Sequence, residues 1–248
     1  VTMERLAPSL TDVRAVVFDT DGVITDSARV HAAAWKEAFD AFLEAHPPED
    51  PGQRRPFDVQ EDYLRFVNGR SRLDGAAAFL ASRAVETSDD TVRAVAADKE
   101  ELFTRRLREH GVEAFPGTVR LVRALRRAGL PVAAASASRH AGELLTRAGV
   151  RDLFDVLVDG REAARLGLPG KPEPDLFRTA ADRLGVRADR AAVVEDALAG
   201  VEAGKRGGFA LVVGVDRAAS GDSADRLRRH GADIVVRDLA ELLGEEST

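Results

Sequence analysis

Cysteine is absent from all 248 residues, which excludes a disulfide framework, a thiolate nucleophile and any zinc site built on sulfur. No stretch approaches the roughly 18 consecutive apolar residues that a membrane-spanning helix needs. Residues 1–14 also lack the apolar core of a secretory signal. A soluble, cytoplasmic protein is therefore expected. A basic excess is missing as well. With a net charge of −6, the chain has nothing to spare for neutralising a nucleic-acid backbone, although a small anionic ligand needs only a local pocket of positive charge. Lysine is confined to positions 36, 99, 171 and 205. No internal repeat or low-complexity segment occurs. No nucleotide fingerprint occurs either: residues 200–206, Gly-Val-Glu-Ala-Gly-Lys-Arg, have neither the spacing nor the hydroxyl of a phosphate-binding P-loop.

What is present is the composition of a globular protein, 44% hydrophobic and 31% charged. A short apolar run at residues 15–18 reads as a buried strand, ended by Asp19-Thr20-Asp21-Gly22. From residue 27 the period changes. Val30, Ala34, Ala38 and Phe42 recur at helical spacing, and the helix breaks at the Pro-rich loop of residues 46–56. Further helices are predicted over 59–67, 73–84 and 89–110, with a turn at Asn68-Gly69-Arg70-Ser71 and an N-cap at Ser88 or Asp89. After Gly111 short apolar runs at 130–135, 155–158, 191–194, 209–215 and 233–236 alternate with amphipathic stretches at 118–128, 140–148, 174–184, 197–206 and 224–229. That alternation predicts an α/β fold with a mostly parallel sheet covered on both faces. Residues 1–26 and 113–248 form the α/β domain, and residues 27–112 are an all-helical insertion directly after its first strand.

Ligands of open parallel sheets bind outside the carboxyl ends of the strands, and three predicted strands end in polar groups there. One ends in Asp19 and Asp21, one in Ser136-Ala137-Ser138 and one in Glu195-Asp196; Lys171 adds a cation from the stiff loop Gly170-Lys171-Pro172. Taken singly, each has an ordinary structural reading. The aspartates and serines suit turns, Lys171 suits the surface, and Glu195-Asp196 suit the cap of the following helix. Taken together they supply carboxylates for a hard divalent cation, Mg²⁺ being the most consistent, with donors and one fixed charge for a phosphate. That inventory fits phosphoryl transfer. Asp19, nearest the strand, is the candidate covalent nucleophile, and Asp21 the candidate acid and base.

Asp19-Thr20-Asp21-Gly22-Val23, Ser136, Lys171 and Glu195-Asp196, in that order, resemble the four motifs of haloacid-dehalogenase-superfamily phosphotransferases. Residues 22–27, 31–36, 136–138 and 194–200 are most similar to the β-phosphoglucomutase branch. The resemblance implies a Rossmann-like core with a helical cap. It also implies an aspartyl phosphate on Asp19, proton transfer by Asp21, and Ser136 and Lys171 on the transferring phosphate. Mg²⁺ would be held by Asp19, the Asp21 carbonyl and Asp196, with Glu195 in or beside the metal shell. Arg72 and Ser138 would hold the non-reacting phosphate, and His31 would couple cap closure to the acid/base. Trp35, Gly69 and Ala137 would belong to the substrate pocket, although Trp35, at helical spacing, also reads as core. The implied substrate is a small sugar phosphate and the implied state a monomer, with no nucleic-acid or membrane partner. Asn68, His140 and the Asp98-Lys99-Glu100 run depart from the family pattern. These departures are expected to alter substrate choice and to leave the phosphoryl-transfer residues alone. A sugar-phosphate phosphatase using the same residues is the alternative function, and a non-catalytic sugar-phosphate-binding protein a remote one.

Overall fold

The computed structural model describes residues 5–85, 88–217 and 221–244. The run Ala15–Phe18 is apolar at every position because it forms a strand buried on both faces. In chain order the strands are β1 (Arg5–Leu6), β2 (Ala15–Phe18), β3 (Val132–Ala135), β4 (Val156–Val158), β5 (Ala191–Glu195), β6 (Leu211–Val215), β7 (Ile234–Val236) and β8 (Leu243–Gly244). Six of them form one parallel sheet in the order β4-β3-β2-β5-β6-β7. β2 is thus central, with Phe18 level with Ala134 of β3 and Val194 of β5. This register brings the residues after β2, β3 and β5 to one edge. The expected parallel α/β sheet is found. A small addition is the antiparallel pairing of β1 with β8.

Helices cover both faces. On one side α4 (Pro116–Arg127) lays Leu121, Val122 and Leu125 on Val16, Phe18 and Val194. On the other, α7 (Asp175–Arg183) and α8 (Leu198–Arg206) pack Phe177, Ala181 and Val201 against Val17, Ala133 and Val193. Two shorter helices, α5 (Ala141–Arg147) and α6 (Gly160–Leu166), follow β3 and β4; α6, which the sequence pattern does not announce, buries no residue, and the Asp159 side chain starts it by accepting from Arg161 and Glu162 backbone N–H. It therefore lacks the apolar stripe by which helices are read.

Between β2 and α4 the described chain is helical, with α1 (Ala28–Ala45), α2 (Arg72–Ser82) and α3 (Asp89–His110) around their own cluster of Trp35, Phe39, Phe57 and Phe79. The Ser88 side chain caps α3 as expected, accepting from Thr91 N–H. The stretch expected as a helix at 59–67 differs. Tyr63–Val67 is a single wide turn in which Tyr63 N–H bonds Asp58 O and Asn68 N–H bonds Tyr63 O. The Asp58 side chain takes the N–H groups of Gln60 and Glu61, and buried Asp62 is tied to Arg55 and Arg83. These side-chain bonds compete with regular helix bonding and aim Asn68 and Gly69 at the sheet edge.

Candidate active site

Asp19 is fixed by the strand it follows: its N–H bonds Val194 O at 2.9 Å, and its side chain is buried. Lys171, from the loop before α7, is buried beside it, with Nζ 2.5 Å from Asp19 Oδ1 and 3.0 Å from Glu195 Oε1. Asp19, Glu195 and Asp196 bring carboxylate oxygens within 4.8 Å of one another. Burial pushes all three carboxyls above the ordinary carboxylate range, Lys171 only partly opposing it for Asp19 and Glu195. Burial also works against the charge on Lys171, but Asp19 and Glu195 outweigh it and hold the ammonium firmly protonated. Three clustered carboxylates facing one ammonium leave a surplus of negative charge in a site made of oxygen ligands, the donor set of a hard divalent cation.

Two glycines make this cluster possible. A Cβ on Gly22, which has φ +80°, would stand 2.3 Å from Asp196 Oδ2. A Cβ on Gly200 in α8 would stand 1.6 Å from Glu195 Oε1. Neither Glu195 nor Asp196 caps α8; that position falls to Ala197, without a side-chain bond.

The Asp21 carboxylate turns away from the cluster. Ser27 Oγ donates to its Oδ1, Ser136 Oγ lies 3.5 Å from its Oδ2, and His31 Nε2 lies 3.4 Å from Oδ1. Lys99 Nζ sits 2.8 Å from His31 Nδ1. A charged ammonium can only donate, so Nδ1 accepts and the ring proton is on Nε2, facing Asp21. Burial opposes charge on Asp21, but His31 and Ser27 overcome it and hold the carboxyl below its usual range. Burial and Lys99 keep His31 toward its neutral form, and burial brings Lys99 down to about 8. The His31 ring stacks flat on Phe103 at 4.0 Å.

A cavity of about 60 Å³ separates this edge from the helical segment. Of the expected residues, Asp19, Asp21, His31, Trp35, Gly69, Arg72, Ala137 and Ser138 line it. Ser136, Lys171, Glu195 and Asp196 lie outside that lining, Ser136 holding Ser138 N–H at 3.0 Å. Trp35 serves both readings, since it stacks on Phe39 within the helical core and also faces the cavity. Arg72 NH1 lies 3.6 Å from Glu100 Oε2, and His140 Nε2 lies 2.6 Å from Glu100 Oε1.

One expectation needs correction. Asn68 is not confined to substrate choice: its Nδ2 reaches Asp196 Oδ2 at 3.5 Å, and a Cβ on the adjoining Gly69 would approach Ala197 Cβ to 2.7 Å. The helical segment therefore touches the carboxylate cluster itself. Ser27, Tyr63 and Lys99 also belong to the site, with no mark of it in the sequence. Ser27 stands at the start of α1 yet makes no capping bond, because its hydroxyl is spent on Asp21. Tyr63 lines the cavity from the wide turn. Nothing in a lone Ser, Tyr or Lys marks such a place.

This fold, with an acidic cluster at the end of the central strand and a helical segment closing over it, defines a class. The chain is an enzyme of the haloacid dehalogenase-like hydrolase family, which it matches over residues 13–208. It is 44% identical over 241 residues to a β-phosphoglucomutase of Mycobacterium bovis, covering 93% of this chain and 92% of that one. To a β-phosphoglucomutase of Bacillus subtilis it is 34% identical over 238 residues, covering 93% and 92%. A crystal structure of β-phosphoglucomutase from Clostridium difficile shares the fold, with a TM-score of 0.71 over 93% of each chain at 24% identity.

Proposed function

We propose that the chain is a Mg²⁺-dependent hexose-phosphate mutase of the β-phosphoglucomutase type, acting as a cytoplasmic monomer. It would convert β-glucose 1-phosphate to glucose 6-phosphate through glucose 1,6-bisphosphate. Its similarity to the two β-phosphoglucomutases supports this reading. The observation that carries it is one cavity lined both by Asp19, the candidate acceptor of a phosphoryl group, and by Arg72, Ser138 and His140, donors suited to a second phosphate. A second grip is of use to an enzyme whose intermediate carries two phosphates.

In this reading the enzyme carries a phosphoryl group on Asp19, and the free hydroxyl of the sugar phosphate attacks its phosphorus as the bond to Asp19 breaks, Asp21 taking the hydroxyl proton, to give the bisphosphate. After the bisphosphate turns over, an Asp19 oxygen attacks its other phosphorus as the bond to the sugar oxygen breaks, and Asp21 returns the proton to that oxygen, which restores the aspartyl phosphate. Asp21 is held ionised here, the form required for the first half. Ser136 and Lys171 orient the transferring group, and Lys171 keeps Asp19 fixed. Asp19, Asp196 and the Asp21 carbonyl would hold Mg²⁺, with Glu195 beside them. The ion supplies neutralisation of charge gathering on the phosphoryl group. Residues 27–112 act as a cap that closes to exclude water and opens to let the bisphosphate reorient.

The second reading is a sugar-phosphate phosphatase, in which water attacks the aspartyl phosphate. It is favoured by one contact, Glu100 occupying Arg72. The two separate in one assay with β-glucose 1-phosphate, Mg²⁺ and a trace of glucose 1,6-bisphosphate. The mutase yields glucose 6-phosphate in large excess over inorganic phosphate. Inorganic phosphate as the main product contradicts it.

A further inference from the structure

Lys99 and Glu100 are neighbours on α3 but hold different residues of the cavity. Lys99 reaches His31 near Asp21. Glu100 spreads its two oxygens, Oε2 toward Arg72 of the helical segment and Oε1 onto His140 of the sheet domain. A carboxylate hydrogen-bonded to an imidazole by one oxygen and ion-paired with a guanidinium by the other competes for the groups that an incoming phosphate would use. His140 is fixed by its surroundings: its N–H bonds Ser138 Oγ at 3.2 Å, its Nδ1 lies 3.7 Å from Glu143, and its ring tilts over Phe103 at 5.3 Å. Glu100, three-quarters buried, is therefore the member of the group with somewhere to go.

We propose that Glu100 is an internal anion standing in for the non-reacting phosphate. In the closed, unliganded enzyme it bridges Arg72 and His140, and a sugar phosphate must displace it from them. Glu100 thereby sets the affinity and specificity of the distal half of the site. It is a positioning residue, acting through Arg72 and His140. The inference rests on the sugar-phosphate reading above for the identity of the natural ligand, and on the contacts for the competition.

The test is a binding measurement, independent of turnover. In the Asp19→Asn background, glucose 6-phosphate and inorganic phosphate are each titrated by calorimetry into proteins with Glu100, with Glu100→Gln, and with Glu143→Gln as a control that removes the same charge from the outer side of His140. Glu100→Gln keeps the shape of the side chain and is expected to tighten binding about tenfold, the size of a modest competing interaction. Glu143→Gln is expected to change it far less. Adding Arg72→Ala should abolish the gain. Unchanged or weaker binding in Glu100→Gln overturns the proposal, as does an equal gain from Glu143→Gln or a gain that survives loss of Arg72. If inorganic phosphate shows the Arg72-dependent gain while glucose 6-phosphate does not bind at all, the competition stands and the sugar-phosphate reading fails.

Discussion

Lys171 Nζ lies between two buried carboxylates, 2.5 Å from Asp19 and 3.0 Å from Glu195, and so holds together residues at the ends of two neighbouring strands. Breaking a buried pair by removing one partner leaves an uncompensated charge and costs about 3–5 kcal/mol. Lys171→Met is therefore expected to lower stability by that order in chelator, measured by denaturant unfolding, and to abolish turnover. Added Mg²⁺ should recover part of the loss, because a ligand that binds only the folded state stabilises it. An unchanged unfolding midpoint would contradict the role given to Lys171.

Gly200 tests the carboxylate cluster from behind. Its backbone is ordinary helix, so alanine adds no strain of its own, but the new Cβ would stand 1.6 Å from Glu195 Oε1. Glu195 must then swing out of the cluster. Perturbing such a supporting contact costs about 10–100-fold in metal affinity, and Gly200→Ala is expected to weaken Mg²⁺ binding by that factor in calorimetry. Unaltered affinity would mean that Glu195 has no part in the metal site.

Glu100 provides a pH signature. Burial works against its charge, but the hydrogen bond and charge of His140, with Lys99 and Arg72, bring its carboxyl down to about 2 from an ordinary 4.5. A carboxyl depressed in the folded state adds stability that is fully present above its unfolded value and lost as pH falls through the folded one. The Tm difference between the parent and Glu100→Gln should therefore be full at pH 7 and shrink below about pH 4.5. A difference that stays constant down to pH 3 would show that the charge on Glu100 contributes nothing to it.

The sheet edge was legible in the sequence because chemistry and topology coincide there. Apolar runs such as 15–18 and 191–194 stop abruptly in carboxylates, and a parallel sheet brings such stops to one side. Asp19, Ser136, Glu195 and Asp196 could be placed in this way, and Lys171 by the stiff loop Gly170-Lys171-Pro172. The helical segment was legible as helices and much less as a site. Asn68 reaches Asp196 only because the turn at Tyr63–Val67 is wider than an α-helix, and that width comes from Asp58 and Asp62 binding backbone and arginines rather than from any periodicity. Glu100 and His140 meet across 40 positions of chain, a pairing that depends on how α3 lies over the sheet domain. The hydroxyl of Ser27 is equally hidden, since at a helix start it is indistinguishable from a cap.

The central claim is that the phosphoryl group on Asp19 passes to a sugar hydroxyl in preference to water. The most direct measurement is a single-turnover chase: enzyme phosphorylated with radiolabelled glucose 1,6-bisphosphate is isolated and mixed with Mg²⁺ and excess unlabelled glucose 6-phosphate or with Mg²⁺ alone. The account predicts that label moves rapidly to glucose 1,6-bisphosphate in the first case and appears only slowly as inorganic phosphate in the second. Label released as inorganic phosphate at the same rate in both would contradict it.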